Sequence, residues 1–171
     1  MYRRILVPLD GSELAESVLP HIITISKVCS VEEIILFRAY EPPVILADYP
    51  SDLRPGWDDH VRQQNARSQH QIRFYLDEAK KKFSIAGLTE NKFKLTTALS
   101  SGKPSERIVG YAIENFIDLI IMASHGRSGI TRWAFGSTAE RVLRASPVPV
   151  LVVKPQNLRK AIPDVDPEAE N

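Results

Sequence analysis

Apolar residues along this chain follow two rhythms. Short, almost unbroken apolar runs alternate with longer stretches where apolar positions recur every three or four residues. The first rhythm marks strands buried on both faces of a parallel sheet, the second amphipathic helices. Residues 3–9 read as a first strand, charged at the start and ending near Pro8, where a missing N–H is tolerable. Asp10-Gly11-Ser12 turns the chain, with Ser12 a good N-cap and Glu13 and Glu16 suited to a first helical turn. Leu14, Val18, Leu19, Ile22, Ile25 and Val28 repeat at helical spacing, and Pro20 inside that pattern predicts a kink or a split. Residues 33–40 are a second strand. Residues 58–86 are a long polar helix whose apolar face is Val61, Ile72, Tyr75, Leu76, Ala79 and Phe83. Residues 91–99 alternate like a strand with one more polar face. Pro104 opens the next helix, with Ile108, Tyr111, Ala112, Ile113 and Phe116 as its inner stripe. Residues 118–122 are a fourth strand, a Ser137-x-x-Glu140 capping box starts a last helix set on the core by Val142 and Leu143, and residues 146–154 form a fifth strand.

Strand and helix alternate throughout, which argues an α/β fold: an open parallel sheet with helices on both faces. Residues 1–154 form one domain on this reading, and the polar, acidic, Pro-containing residues 155–171 are expected to be a disordered tail. Residues 41–57, with Pro42, Pro43, Pro50, Pro55 and Gly56, break the pattern as an irregular excursion. Its Val44, Ile45, Leu46 and Tyr49 suit either a cover for a pocket or partner, or packing on the domain.

The link between the fourth strand and the last helix is the candidate site. It runs to about a dozen residues where such loops usually have about 2–6, and it holds Gly126, Gly129, Gly136, two arginines and several hydroxyls. Glycines allow close backbone approach, and a helix N-terminus offers unpaired N–H groups with a partial positive charge. Together they describe a seat for phosphate. In open α/β sheets ligands bind beyond the carboxyl ends of the strands, at the switch point. If the first and fourth strands are neighbours there, Asp10 and the glycine loop face one crevice. Asp10 also suits a plain role bracing its turn, Ser137 a plain role as N-cap, and His125 loop packing or a phosphate contact. Trp133 and Phe135 read as anchors to the core or a partner.

The 171 residues give room for a proper core, and a net charge of +1 exerts no global pull toward nucleic acid or membrane. The single Cys29 excludes an intramolecular disulfide, fits a reducing cytoplasmic setting, and reads as a buried inert thiol. No apolar run approaches the roughly 18–20 residues that span a bilayer, and the N-terminus does not read as a signal peptide. The Walker, dinucleotide and nucleophile-elbow patterns are absent, and His21, His60, His70 and His125 show no metal-ligand spacing.

The strand end Val7-Pro8-Leu9-Asp10-Gly11-Ser12, the spacing Gly126-x9-Gly136-Ser137 and the closing Pro147-Val-Pro-Val-Leu-Val-Val153 resemble the universal stress protein family over about residues 1–154. Ala123 stands where the family's nucleotide signature has its first glycine. The resemblance implies a five-stranded parallel sheet of order 3-2-1-4-5 and ATP at the switch point. On that basis Pro8, Leu9 and Asp10 line the adenosine end, and the Ala39 backbone reads the adenine edge. Met122 and Ala123 lie beside ribose and phosphates, and Gly126, Gly136, Ser137 and Thr138 cradle the phosphates. Arg127 is added from its charge and position, and Mg2+ is expected to travel with the phosphates near Asp10. The expected protein is a cytoplasmic, ATP-responsive regulatory or protective homodimer, paired through residues 147–153 and read by a protein partner. Nucleic acid and membrane are not expected partners. Two alternatives stay open: a dimeric interaction module that binds no nucleotide, and a slow ATP hydrolase or adenylyl transferase.

Overall fold

The computed structural model describes residues 2–42, 57–86, 93–124 and 135–154. Within them run β1 (Arg4–Pro8), α1 (Glu13–Glu16), α2 (Leu19–Val28), β2 (Glu33–Tyr40), α3 (Trp57–Ile85), β3 (Lys94–Ser101), α4 (Pro104–Glu114), β4 (Leu119–Ala123), α5 (Ser137–Ala145) and β5 (Val150–Val153). All five strands are parallel, in the order β3-β2-β1-β4-β5. The α/β fold inferred from the alternation is therefore the fold observed.

The strands are apolar on both sides because both sides are covered. Ile5, Val7, Ile34, Leu36, Leu119 and Ile121 pack against Ala15, Val18 and Ile22 of α1 and α2 and against Ile72, Leu76, Ala79 and Phe83 of α3. Their neighbours Leu6, Ile35, Phe37, Ile120 and Met122 point the other way, onto Ile108 and Ala112 of α4 and Ala139 and Val142 of α5. The two sets interleave residue by residue, as the strand period of two requires.

The predicted first helix is two helices. Ser12 caps α1, its hydroxyl accepting from the Ala15 N–H at 3.2 Å. The chain breaks at Ser17-Val18, which places Pro20 in the first turn of α2, where its missing N–H costs nothing. Cys29 ends α2 half-buried, not fully buried as expected. Several expected inward residues face out, for geometric reasons. Val28 lies in the last turn of α2 and is 78% exposed. Ile113 and Leu143 follow the buried Ala112 and Val142 by one position, about 100° round the helix. Phe116 is 81% exposed because it is the reversal residue after α4. Its φ is +51°, and the Ile117 N–H closes back to the Ala112 carbonyl at 2.9 Å, an arrangement usually given to glycine.

Two strand limits also differ from the reading. β3 runs on to Ser101, held in register with β2 along its whole length. β5 is only the four residues Val150–Val153, because Pro147 and Pro149 cannot donate to a ladder. Most of the 41–57 excursion and the whole 155–171 tail lie outside the described residues.

A charged knot ties the amino ends of the strands together. Arg4 donates to the Asn115 carbonyl at 2.6 Å and to Glu33 at 2.8 Å, and Glu33 also accepts from Thr96 at 3.1 Å. Both charges are substantially shielded from water. Glu33→Ala is expected to cost about 1–3 kcal/mol, since it strands the Arg4 guanidinium. A urea titration with an unchanged slope and a lowered midpoint measures it.

Candidate functional site

β1 and β4 are adjacent, yet their register holds only Ile5↔Leu119 and Leu6↔Ile120. Leu6 and Pro8 share the phase that faces β4, and Pro8 has no N–H to continue the ladder. Beyond that point a crevice of ≈ 190 Å³ opens at the carboxyl ends of the strands. Pro8, Leu9, Asp10, Ala39, Met122, Ala123, Gly136, Ser137 and Thr138 all line it, so nine residues singled out from sequence converge there. Gly126, Arg127 and His125 lie outside the described residues.

One wall is the start of α5. The helix is capped by Gly136, not by Ser137, and no side chain caps it. The expected capping box is therefore not formed, and the Ser137 hydroxyl is not committed to the backbone. The first α5 turn closes with the Glu140 N–H on the Gly136 carbonyl at 3.0 Å. This leaves the N–H groups of Ser137, Thr138 and Ala139 without intrahelical acceptors, at the positive end of the helix dipole. The Gly136 N–H is different. It donates to the Ser124 carbonyl at 2.8 Å, so the cradle expected from Gly136 lacks that amide. Ser124 in turn donates its N–H to the Val153 carbonyl at 2.7 Å. These two bonds close the base of the loop and tie it to the end of β5.

Asp10 forms the facing side. Its Oδ1 accepts from the Ser12 N–H at 3.0 Å and the Ser12 hydroxyl at 2.6 Å. The carboxylate thus braces its turn and lines the crevice at once; the two readings of Asp10 are compatible. Asp10 is the only acidic residue among the described lining residues, and no cluster of three metal-ligating side chains occurs among the described residues. A single carboxylate fits an ion that arrives on phosphates better than a resident metal.

The far end is apolar, lined by Ala39, Pro104 and Ile108 above the fully buried Phe37 ring. Backbone phase gives this end its polar edge. The Leu9 N–H donates to the Phe37 carbonyl at 2.8 Å, so Phe37 faces β1, whereas the Tyr40 carbonyl accepts from Gly102 on the β3 side. Ala39 shares the phase of Phe37. Register between β1 and β2 ends at Pro8↔Phe37, and Ala39 makes no backbone bond to the residues after β1. Its N–H and C=O are left as an adjacent donor and acceptor on the crevice.

Ala123 answers its own question by alternation. Its methyl belongs to the core cluster on the α1 side, with Leu9, Ala15 and Val153, while Met122 belongs to the opposite cluster. The extra carbon packs in the core at the crevice edge.

Sequence reasoning missed Phe37, Ser124, Pro104, Ile108, Ala15 and Ala139 as lining residues. Phe37 and Ser124 had a signal, Phe37 lying two places along β2 from Ala39 and Ser124 directly following the chosen Ala123. Pro104 and Ile108 had none, since α4 reaches the crevice only through the packing of α4 on the sheet.

No helix among the described residues is long and apolar enough to cross a membrane. The chain is 30% identical over 164 residues to universal stress protein MJ0577 of Methanocaldococcus jannaschii, covering 92% of this chain and 98% of that protein. The solved structure of MJ0577 superposes with a TM-score of 0.72 at 28% identity, over 90% of this chain and 96% of that one. A solved universal stress protein in complex with cAMP has a TM-score of 0.62 at 23% identity, over 90% of this chain and 98% of that one, and shares the fold. The sequence model of the Universal stress protein family matches residues 1–154. With crevice, sheet order and sequence in agreement, the chain belongs to the universal stress protein family.

Proposed function

We propose that the crevice binds ATP and that the protein works as a nucleotide-responsive homodimer, with residues 1–154 as the working domain. The observation that carries this reading is the opposition of two unlike ends across one cleft. Three unpaired first-turn amides of α5 offer an anion seat at one end, and the Ala39 donor–acceptor pair over the buried Phe37 ring suits a planar base at the other. Asp10 lies between them, placed to accept from ribose hydroxyls or to meet Mg2+ carried by the phosphates. Gly126 and Arg127 complete the phosphate side on this reading, with Ser137 and Thr138 supplying hydroxyls.

Hydrolysis is slow on this reading. A general base needs a free lone pair aimed at water, and one oxygen of Asp10 already accepts twice from Ser12. Pairing of two copies is proposed through β5, which ends the sheet and leaves its outer row of backbone groups to a partner. Cys29 as the one cysteine fits a cytoplasmic setting.

Purified protein is expected to release adenine nucleotide on denaturation, read by mass spectrometry. Stripped protein at ATP about a hundredfold above Kd gains about 2.7 kcal/mol, and its Tm is expected to rise by about 5–10 °C. GTP in the same assay is expected to give a smaller shift, since its base edge presents the opposite donor and acceptor order to Ala39. No released nucleotide together with no ATP-dependent shift supports the alternative, a dimeric interaction module that binds no nucleotide, with Ala123 as the reason.

A further inference from the structure

Four-residue α1 is one turn long, too short to hold itself in water. It is held at both ends. At its start Asp10 binds Ser12, and Ser12 caps the turn. At its end Glu16 is gripped by α3 from across the sheet face. The Tyr75 hydroxyl donates to Glu16 Oε1 at 3.2 Å, and Lys82 Nζ donates to Oε2 at 3.1 Å. The Glu16 side chain is only 18% exposed and its Tyr75 bond is part-buried, whereas Lys82 is 62% exposed, so the grip rests mainly on Tyr75. The Arg38 guanidinium stacks on the Tyr75 ring, 5.4 Å from its centroid, and fixes the ring from the β2 side. Burial and the Glu16 charge push the Tyr75 hydroxyl well above the ordinary phenol range, so it remains a donor. Ala15, between the two anchors, lines the crevice.

We propose that Glu16 and Tyr75 are positioning residues for Asp10: α3 holds the α1 turn, and the turn holds the carboxylate where a ribose reaches it. Neither side chain touches the crevice. This rests on the nucleotide reading of the crevice. A turn fixed at its far end confines Ser12, and Ser12 confines Asp10 Oδ1. Releasing Glu16 lets the turn fray, so a ligand must then reorder it on binding. The cost falls only on ligands that use Asp10.

The test is the ATP Kd of the full chain by calorimetry, for wild type, Tyr75→Phe, Glu16→Gln, Ser12→Ala and the Ser12→Ala/Tyr75→Phe pair. Each is measured with ATP and with 2′,3′-dideoxy-ATP, which has no ribose hydroxyls for Asp10. Thermal melts without ligand verify that each variant is folded. Tyr75→Phe is expected to weaken ATP about fivefold and dideoxy-ATP not at all. Glu16→Gln, which keeps an acceptor for Tyr75, is expected to lose less. Ser12→Ala removes the cap and the hydroxyl bond to Asp10 but keeps the Ser12 N–H bond, so adding Tyr75→Phe to it should cost less than the product of the two single losses, whereas independent structural effects would multiply. Equal losses with both nucleotides, multiplying losses in the pair, or an unchanged ATP Kd in Tyr75→Phe would overturn the positioning role while leaving nucleotide binding intact. Wild type that binds neither nucleotide overturns the nucleotide reading itself, and the positioning role falls with it.

Discussion

Thr138→Asp is expected to abolish most ATP binding while making the protein slightly more stable. Thr138 lies in the first turn of α5, half-buried, with its N–H open to the crevice. Asp is close to Thr in size, so the substitution changes charge more than shape. A carboxylate there occupies the anion seat from within. It also faces a triphosphate at short range, where each like-charge pair a few ångströms apart costs up to about 4 kcal/mol in a half-shielded site. Water and Mg2+ screen most of that, and an ATP Kd about 100-fold weaker or worse is the expected reading. The same charge at a helix N-terminus favours the helix by about 0.3–1 kcal/mol, which raises Tm by about 1–4 °C. The opposed signs are the point. A substitution that merely damaged the fold would lower both. Thr138→Val, which removes only the hydroxyl, should weaken ATP by about tenfold at most. An Asp variant that binds ATP within twofold of wild type would place the phosphates somewhere other than on α5.

The sheet was readable in advance because its information is local. Unbroken apolar runs such as Ile34–Phe37 and Ile120–Met122 can be satisfied only by cover on both faces, and cover on both faces requires crossover helices. The order of strands came from resemblance, not from periodicity, because period two says nothing about neighbours. Helix faces were read less well. Ile113 and Leu143 are apolar and adjacent to core positions, and one residue of helical phase separates a buried chain from an exposed one. Phe116 could not be read at all, since its left-handed backbone belongs to a reversal that is usually marked by glycine.

The crevice divides along the same line. Asp10 and the start of α5 were legible because each ends or begins an element, and switch-point geometry gathers such ends, whereas Ala39 and Met122 came from the family resemblance. Its internal wiring was not found. The Gly136–Ser124–Val153 chain of backbone bonds leaves no mark in residue type, because any residue has an N–H and a carbonyl. That chain moves the proposed anion seat from the glycine to the helix turn behind it. It also ties the loop base to β5, the strand proposed to pair two copies. The capping box misled for a related reason: Ser137 and Glu140 have the right spacing, but capping depends on where the helix begins, and it begins one residue earlier.

Phe37→Ala is the substitution expected to cost most stability. Phe37 is fully buried on β2, which is paired on both sides, and its ring packs on Tyr111 at 4.8 Å between centroids, tilted by 44°. Truncating such a ring costs about 3–5 kcal/mol, including the loss of the aromatic pair. A chain of this size loses about 2–4 °C per kcal/mol, so Tm should fall by about 6–20 °C. Location decides between the ends of that range. The ring underlies the crevice floor, so the space it leaves joins an open cleft that water can enter. A hydrated gap loses less than a sealed apolar void, which puts the expected cost near 3 kcal/mol and keeps the variant folded for measurement. The same geometry predicts a second effect. With the ring gone, the base end of the crevice loses the support beneath Ala39 and Ile108, and a planar base loses a firm apolar bed without losing the backbone edge. ATP affinity should then fall by about tenfold beyond what Phe37→Leu causes, because leucine keeps an apolar floor. Isothermal titration on both variants, at a temperature where urea melts show each more than 95% folded, separates loss of the floor from loss of the fold.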